Sequence, residues 1–189
     1  MFLNVRTRRL LFLAALLCAA AFSIAPAHAE DGSRGWLRYA PPFLSQPDSP
    51  YAQMPPAVVT LDSSPIAATA QSQLQEGVRS MLHRTLRIEP QPPDYSAWIL
   101  GTAAELRSAL PQYHPPQLRP EGFSVSTLTV HGHTDWLIAG ADSRGILYGT
   151  FYVLSSIAQG QSFTALKGSQ SPAAPIRWVN QWDNLNGTI

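Results

Sequence analysis

Near the end of this 189-residue sequence an indole, a carboxyl and an amide stand side by side in Trp182-Asp183-Asn184. An exposed indole offers a flat face to a sugar ring, and Asp183 or Asn184 can accept from or donate to ring hydroxyls. The same types also suit a plainer arrangement, in which Trp178 and Trp182 pack in a core and Asp183 and Asn184 shape a turn. The residues alone leave both open. His131 and His133 flank a glycine and could share a metal, but no third ligand, His-Glu-x-x-His or cysteine pair accompanies them. They read as a solvated hairpin turn. Asp142 and Arg144 open a helix, where an aspartate satisfies free backbone donors and suits the dipole. Glu30 and Asp31, beside Arg34 and Arg38, read as a docking or surface feature. The sequence has no Gly-x-Ser-x-Gly elbow, and Ser155 and Ser156 fall inside a helix. It has no glycine-rich phosphate loop either.

Trp182-Asp183-Asn184 has a strand behind it. Ile176, Trp178, Val179 and Trp182 suit a buried strand, Pro175 stands where a strand can begin, and Asn186-Gly187 would stop it. A strand that leaves polar side chains at its carboxyl end is how a parallel barrel or an open α/β sheet builds a site. The run Arg177-Trp178-Val179-Asn180-Gln181-Trp182-Asp183-Asn184-Leu185-Asn186-Gly187 resembles the opening barrel strand of glycoside hydrolase family 67, the secreted α-glucuronidases that trim xylan. Two further stretches are similar to that family. One is Glu30-Asp31-Gly32 with Trp36-Leu37-Arg38-Tyr39. The other, Gly140 to Phe151, is a pattern shared with β-hexosaminidases. Gln181 departs from the family, where a histidine is expected as often.

The resemblance implies an N-terminal α+β domain, hexosaminidase domain-2-like, over 30–172, and the first strand of a (β/α)8 barrel over 173–189. It implies hydrolysis, with inversion, of the α-1,2 bond between 4-O-methylglucuronic acid and xylose. Trp182 would line the glucuronate pocket, with Asp183 and Asn184 as rim or orienting groups. Inversion needs an acid and a base about 6.5–9.5 Å apart. In the family these come from later barrel strands, so this chain is expected to be inactive alone, with the downstream barrel as its missing partner. The ligands implied are glucuronoxylan-derived aldouronic acids. No metal or organic cofactor is implied, and the family suggests homodimers built through regions beyond residue 189.

Residues 1–29 form a targeting segment: Arg6, Arg8 and Arg9, an apolar run from Leu10 to Ala21, then Ala27-His28-Ala29 as a small-x-small cleavage site. The run falls short of the roughly 20 apolar residues of a membrane span. Cleavage after Ala29 and export are expected, with no membrane contact afterwards. Cys18 follows the bulky Leu17, which disfavours lipidation, and the only cysteine leaves with the leader. That removes disulfides and thiol chemistry and suits an oxidising compartment. The leader takes three of 13 basic residues, leaving 10 against 12 acidic ones, a balance that gives no support for nucleic-acid binding.

The 17 prolines gather between elements. Ala40 to Pro56 reads as an ordered surface wrap or linker, and Ala57 to Leu61 as a short strand. Ser64 caps a helix with Pro65 in its first turn; Ala67, Ala70, Leu74, Val78, Met81 and Leu82 give that helix one apolar face. Leu86 to Ile88 and Ala97 to Leu100 read as strands, and Gly101-Thr102 opens a short helix through Leu110. Phe123 to Val130 and Trp136 to Gly140 are strands with His131-Gly132-His133 as the hairpin between them. A helix from Asp142 or Ser143 runs to about Gly160, and Ser162 to Pro172 reads as a linker. The order implies a mixed β-sheet in an α+β sandwich with helices on one face. Two other functions fit the same elements: the accessory domain of another exo-glycosidase, resting on the Asp142 to Phe151 helix, or a non-catalytic secreted carbohydrate-binding module.

Overall fold

The computed structural model describes residues 39–41 and 51–178. Its sheet has six strands: β1 (Ala57–Thr60), β2 (Arg87–Ile88), β3 (Ala97–Thr102), β4 (Phe123–Val130), β5 (His133–Gly140) and β6 (Gly168–Gln170). Their order across the sheet is β2-β1-β3-β5-β4-β6. The first four of these lie parallel, and β4 runs antiparallel to both β5 and β6. Three helices accompany them: α1 (Pro65–Leu82), α2 (Ala103–Ala109) and α3 (Ser143–Ala158).

Local chemistry sets each helix start. The Ser64 hydroxyl accepts from Ala67 N at 3.2 Å, and Pro65 opens α1 where a missing donor costs nothing. Thr102 and Glu105 form a reciprocal capping box on α2. Asp142 caps α3 by accepting from Gly145 N at 2.9 Å. The hairpin expected at His131-Gly132 is present: both residues have positive φ (46° and 86°), the pairing of a two-residue turn that matches strand twist.

Helices cover both faces of the sheet, where one face had been expected. Val58, Trp98, Leu100, Trp136 and Ile138 meet α1 and α3. The alternate residues Ala57, Ala97, Ile99, Leu137 and Ala139 meet Leu106 of α2, with Leu110 and Tyr113 beyond it. The reason is legible in hindsight. Ala97-Trp98-Ile99-Leu100 and Trp136-Leu137-Ile138-Ala139 are continuous apolar runs, and a strand apolar on both sides needs cover on both sides. Within the layer they share, α1 and α3 pack closely at Gly77, where a Cβ would fall 2.4 Å from Leu154 Cδ2.

Two proline-flanked stretches are core rather than wrap or linker. Within 162–172 the turn Phe163–Leu166 buries Phe163 and Leu166, and β6 then pairs with β4. The Phe163 ring lies 4.2 Å from Trp136 and 6.1 Å from Trp98. Ahead of β1, Tyr51 and Met54 are buried, held by Arg84, which donates to Tyr51 O at 2.5 Å and Met54 O at 3.1 Å. Two aromatic or aliphatic side chains in a polar segment suffice to fold it onto a core, since each is worth about 1.5–3 kcal/mol when buried.

Candidate functional site

Parallel strands whose connections depart in opposite directions leave a crevice at their carboxyl ends, the usual ligand position of an open α/β sheet. Here that point lies between β1, which connects through α1 to β2, and β3, which connects through α2 towards β4 and β5. The chain fills it with its own groups. Leu61 N bonds Leu100 O at 2.8 Å, and the Leu61 side chain packs on the α2 side of the sheet. Asp62, 9% exposed, accepts from Ser64 N (2.7 Å), Ser64 Oγ (3.1 Å) and Ser143 Oγ (2.6 Å). One carboxylate therefore ties together the amino termini of α1 and α3, both of which favour negative charge. Burial opposes its ionisation, but the hydrogen bonds from Ser143 and Ser64 prevail and hold the carboxyl below its usual range. An internal anion occupies the place of a bound one.

Asp135 lies at the opposite end of the sheet. It is 2% exposed, accepts from Ala97 N at 2.9 Å and sits 3.6 Å from His133 Nε2. Burial raises its carboxyl above the ordinary value, against the pull of Ala97 N–H and His133. The bond to Ala97 supports the edge of β3 and explains this carboxylate without a substrate. His131 is exposed on the hairpin, and no group of three metal-ligating side chains occurs among the described residues.

A third polar gathering lies where the chain leaves the sheet. Glu121, with a left-handed φ of 61°, is fixed through its N–H, which donates to Asp142 Oδ2 at 2.8 Å. Its carboxylate takes Arg144 Nη1 at 2.8 Å on one oxygen and Arg177 Nη2 on the other. Hydrogen bonds from Arg144, then Arg177, hold the Glu121 carboxyl below its usual range. The Arg177 guanidinium lies 5.6 Å from the Tyr148 ring centre, and Arg177 Nη1 donates to Ala174 O at 2.9 Å. A cavity of about 310 Å³ opens beside this bridge, walled by Phe123, Tyr148, Gln170 and Ser171.

Of the residues singled out in the sequence, Asp142 does cap α3, and Arg144 joins Glu121 rather than a substrate. Trp182, Asp183 and Asn184 lie outside the described residues, as do Glu30 and Asp31. The strand expected from Ile176 is not formed over its described part: 171–178 carries no strand, and Ile176 and Trp178 are 69% and 89% exposed. A strand of a parallel barrel takes its hydrogen bonds from a strand on each side, and none of the six strands pairs with this segment. Sequence reasoning missed Glu121 and Asp62. Neither stands in a motif, and only the fold brings Asp62 to Ser143, 81 positions away.

The described residues thus form a mixed-sheet α/β layer whose strand-end crevice is stopped by its own carboxylate and whose exit segment holds exposed aromatic surface. Residues 35–153 match the family described as Glycosyl hydrolase family 67 N-terminus, and the chain belongs to that family. Probable alpha-glucuronidase A of Aspergillus niger is 41% identical over 165 residues, 85% of this chain and 19% of the relative. Alpha-glucuronidase A of Aspergillus tubingensis is 40% identical over the same shares. Probable alpha-glucuronidase A of Aspergillus clavatus is 38% identical over 172 residues, 88% of this chain and 20% of the relative. The chain thus spans about a fifth of the length of these curated relatives. Among solved structures, the family GH115 4-O-methyl-alpha-glucuronidase BtGH115A is similar with a TM-score of 0.43 and 19% identity, over 54% of this chain and 13% of its own.

Proposed function

We propose that this chain is the accessory domain of an exported xylan α-glucuronidase. Joined to a (β/α)8 barrel, it would serve the removal of α-1,2-linked 4-O-methylglucuronic acid from aldouronic acids by inversion. The observation that carries this reading is the 38–41% identity to proteins named alpha-glucuronidase across 85–88% of the chain. The leader ending at Ala29 would supply the export signal, and Trp182, Asp183 and Asn184 would line the glucuronate pocket once the barrel is joined.

The chemistry itself falls to carboxylates of the barrel. Inversion requires a protonated acid at the leaving oxygen and a base that activates water on the opposite face of the ring. The described domain offers no such pair. Asp62 and Asp135 are buried in structural bonds and Glu121 is committed to two arginines.

The test is a fusion of residues 30–189 to the catalytic body of the Aspergillus tubingensis enzyme, assayed on aldouronic acids with the product's anomer read by proton NMR. Release of 4-O-methylglucuronate first formed as the β-anomer is expected. A folded fusion that cleaves only N-acetylhexosaminides would overturn the reading in favour of a hexosaminidase accessory domain.

A further inference from the structure

Charge gathers unevenly around the Glu121 bridge. The cavity of about 310 Å³ beside it adjoins a second of about 200 Å³, and the two share Glu121, Pro172 and Arg177 as walls. Together they make one groove, in which the larger cavity adds Tyr148 and Gln170 and the smaller adds Arg119. Among its described walls Glu121 is the only acid, set against Arg119 and Arg177, and Arg144 reaches the same carboxylate from α3. Asp142 also bonds to Glu121, but its two oxygens accept from Glu121 N and Gly145 N, and the amino terminus of α3 offsets its charge. Three guanidiniums thus meet two carboxylates that are already spent. The surplus runs against the chain as a whole, which is slightly acidic beyond the leader.

Hydrogen-bonding capacity is left over as well. A guanidinium carries five N–H donors. Arg119 gives one to Ser171 O at 3.4 Å, Arg144 gives one to Glu121, and Arg177 gives one each to Ala174 O and Glu121. Spare donors of this kind recognise a carboxylate through charge-assisted bonds. The other walls suit a sugar. Tyr148 is 37% exposed, and Gln170 is exposed on the edge strand β6, so a ring face and an amide open on the same groove. The larger cavity stands at the low end of the range of about 300–1,000 Å³ for small-molecule sites, room for a short saccharide rather than a polymer. A neutral sugar would leave the charge unanswered, and a simple anion would leave the aromatic wall unused.

We propose that this groove binds an acidic saccharide, the glucuronate-bearing end of a xylan fragment, with its carboxylate on Arg119 and Arg177 and its ring against Tyr148 and Gln170. It uses none of Trp182, Asp183 and Asn184. The identity of the sugar rests on the accessory-domain reading above; the sign of its charge and the need for a ring do not. Even weak binding here raises the local concentration of decorated xylan around a joined barrel.

The test titrates the isotope-labelled chain 30–189 at low salt with aldotriouronic acid, xylotriose and sodium phosphate, each followed by two-dimensional NMR. Aldotriouronic acid should give saturable shifts at Glu121, Tyr148 and Ser171, with a Kd of about 1 mM or below. Xylotriose and phosphate should each bind about tenfold more weakly, one lacking the charge and the other the ring. Arg119 is exposed and its backbone N–H holds Ser171 Oγ whatever the side chain. R119Q should therefore keep the wild-type Tm and weaken the uronate about tenfold, the worth of one charge-assisted bond. Y148A should weaken it about fivefold through loss of the ring contact. Salt at about 0.1 M, where the screening length is about 10 Å, should weaken the uronate and leave xylotriose unchanged.

No saturation by about 20 mM, shifts centred outside the groove, equal affinity for xylotriose or phosphate, or an R119Q chain that binds as wild type each overturns the site. Release of glucuronate by the fusion to the Aspergillus tubingensis catalytic body, with no binding to the separate chain, overturns the groove and leaves the accessory-domain reading standing. Saturable uronate binding by the chain with no release from the fusion upholds the groove and counts against that reading alone.

Discussion

Asp62→Ala removes the carboxylate that joins two helix starts, and its cost can be worked from the bonds it breaks. Asp62 accepts from Ser64 N, Ser64 Oγ and Ser143 Oγ at 2.7, 3.1 and 2.6 Å. The Ser64 hydroxyl keeps its bond to Ala67 N, and the Ser143 hydroxyl can turn towards water at the partly open edge. The backbone N–H of Ser64 loses a charged acceptor, about 1–3 kcal/mol, and the two helix dipoles lose their anion, about 0.3–1 kcal/mol each. The expected loss is about 3 kcal/mol, or a fall in Tm of roughly 6–12 °C for a domain of this size. Urea unfolding followed by circular dichroism measures it. The pH dependence has a definite sign. The folded carboxyl lies below its unfolded value of 3.8, so its contribution is complete above that value and is lost as pH falls through the folded one. The gap between wild type and D62A should therefore narrow at acid pH. A gap under about 0.5 kcal/mol at neutral pH, the scale of an ordinary surface change, would refute the bridge. So would one that does not narrow with acid.

Asp135 should behave oppositely. Its folded carboxyl is raised by burial, so its contribution is fullest below the unfolded value and declines as pH rises through the folded one. D135N keeps an acceptor for Ala97 N and carries no charge; its stability relative to wild type should improve as pH rises from about 4, where an ordinary aspartate ionises, through the raised folded value, and a flat difference in denaturation midpoint would contradict this. Phe163→Ala empties the aromatic contact with Trp136 and Trp98 and should cost about 3–5 kcal/mol, read by thermal unfolding. A loss below about 1 kcal/mol, small for a buried phenylalanine, would return the stretch to the status of a linker.

Most of the regular elements are legible in the residues because each carries its own signal. Ser64-Pro65 starts α1, Asp142 starts α3, and His131-Gly132 turns the hairpin. The second helical face of the sheet was not deduced, although the unbroken apolar runs of β3 and β5 required it. The burial of Phe163, Leu166, Tyr51 and Met54 was hidden for another reason. Proline and polar neighbours speak for irregular backbone, and irregular backbone still enters a core when two or three of its side chains fit. Asp62 and Glu121 escape sequence reading altogether, since their partners Ser143 and Arg177 stand 81 and 56 positions away. The assignment of Trp182, Asp183 and Asn184 to a sugar pocket rested on resemblance to the α-glucuronidase strand, and these residues lie outside the described residues.

The most direct measurement is release of 4-O-methylglucuronate from a purified aldouronic acid by residues 30–189 alone, set beside the same chain fused to the Aspergillus tubingensis catalytic body. An accessory domain should give no turnover above buffer by itself and steady release once fused. Turnover by the separate domain would contradict its supporting role, because a general acid and base would then have to lie within it.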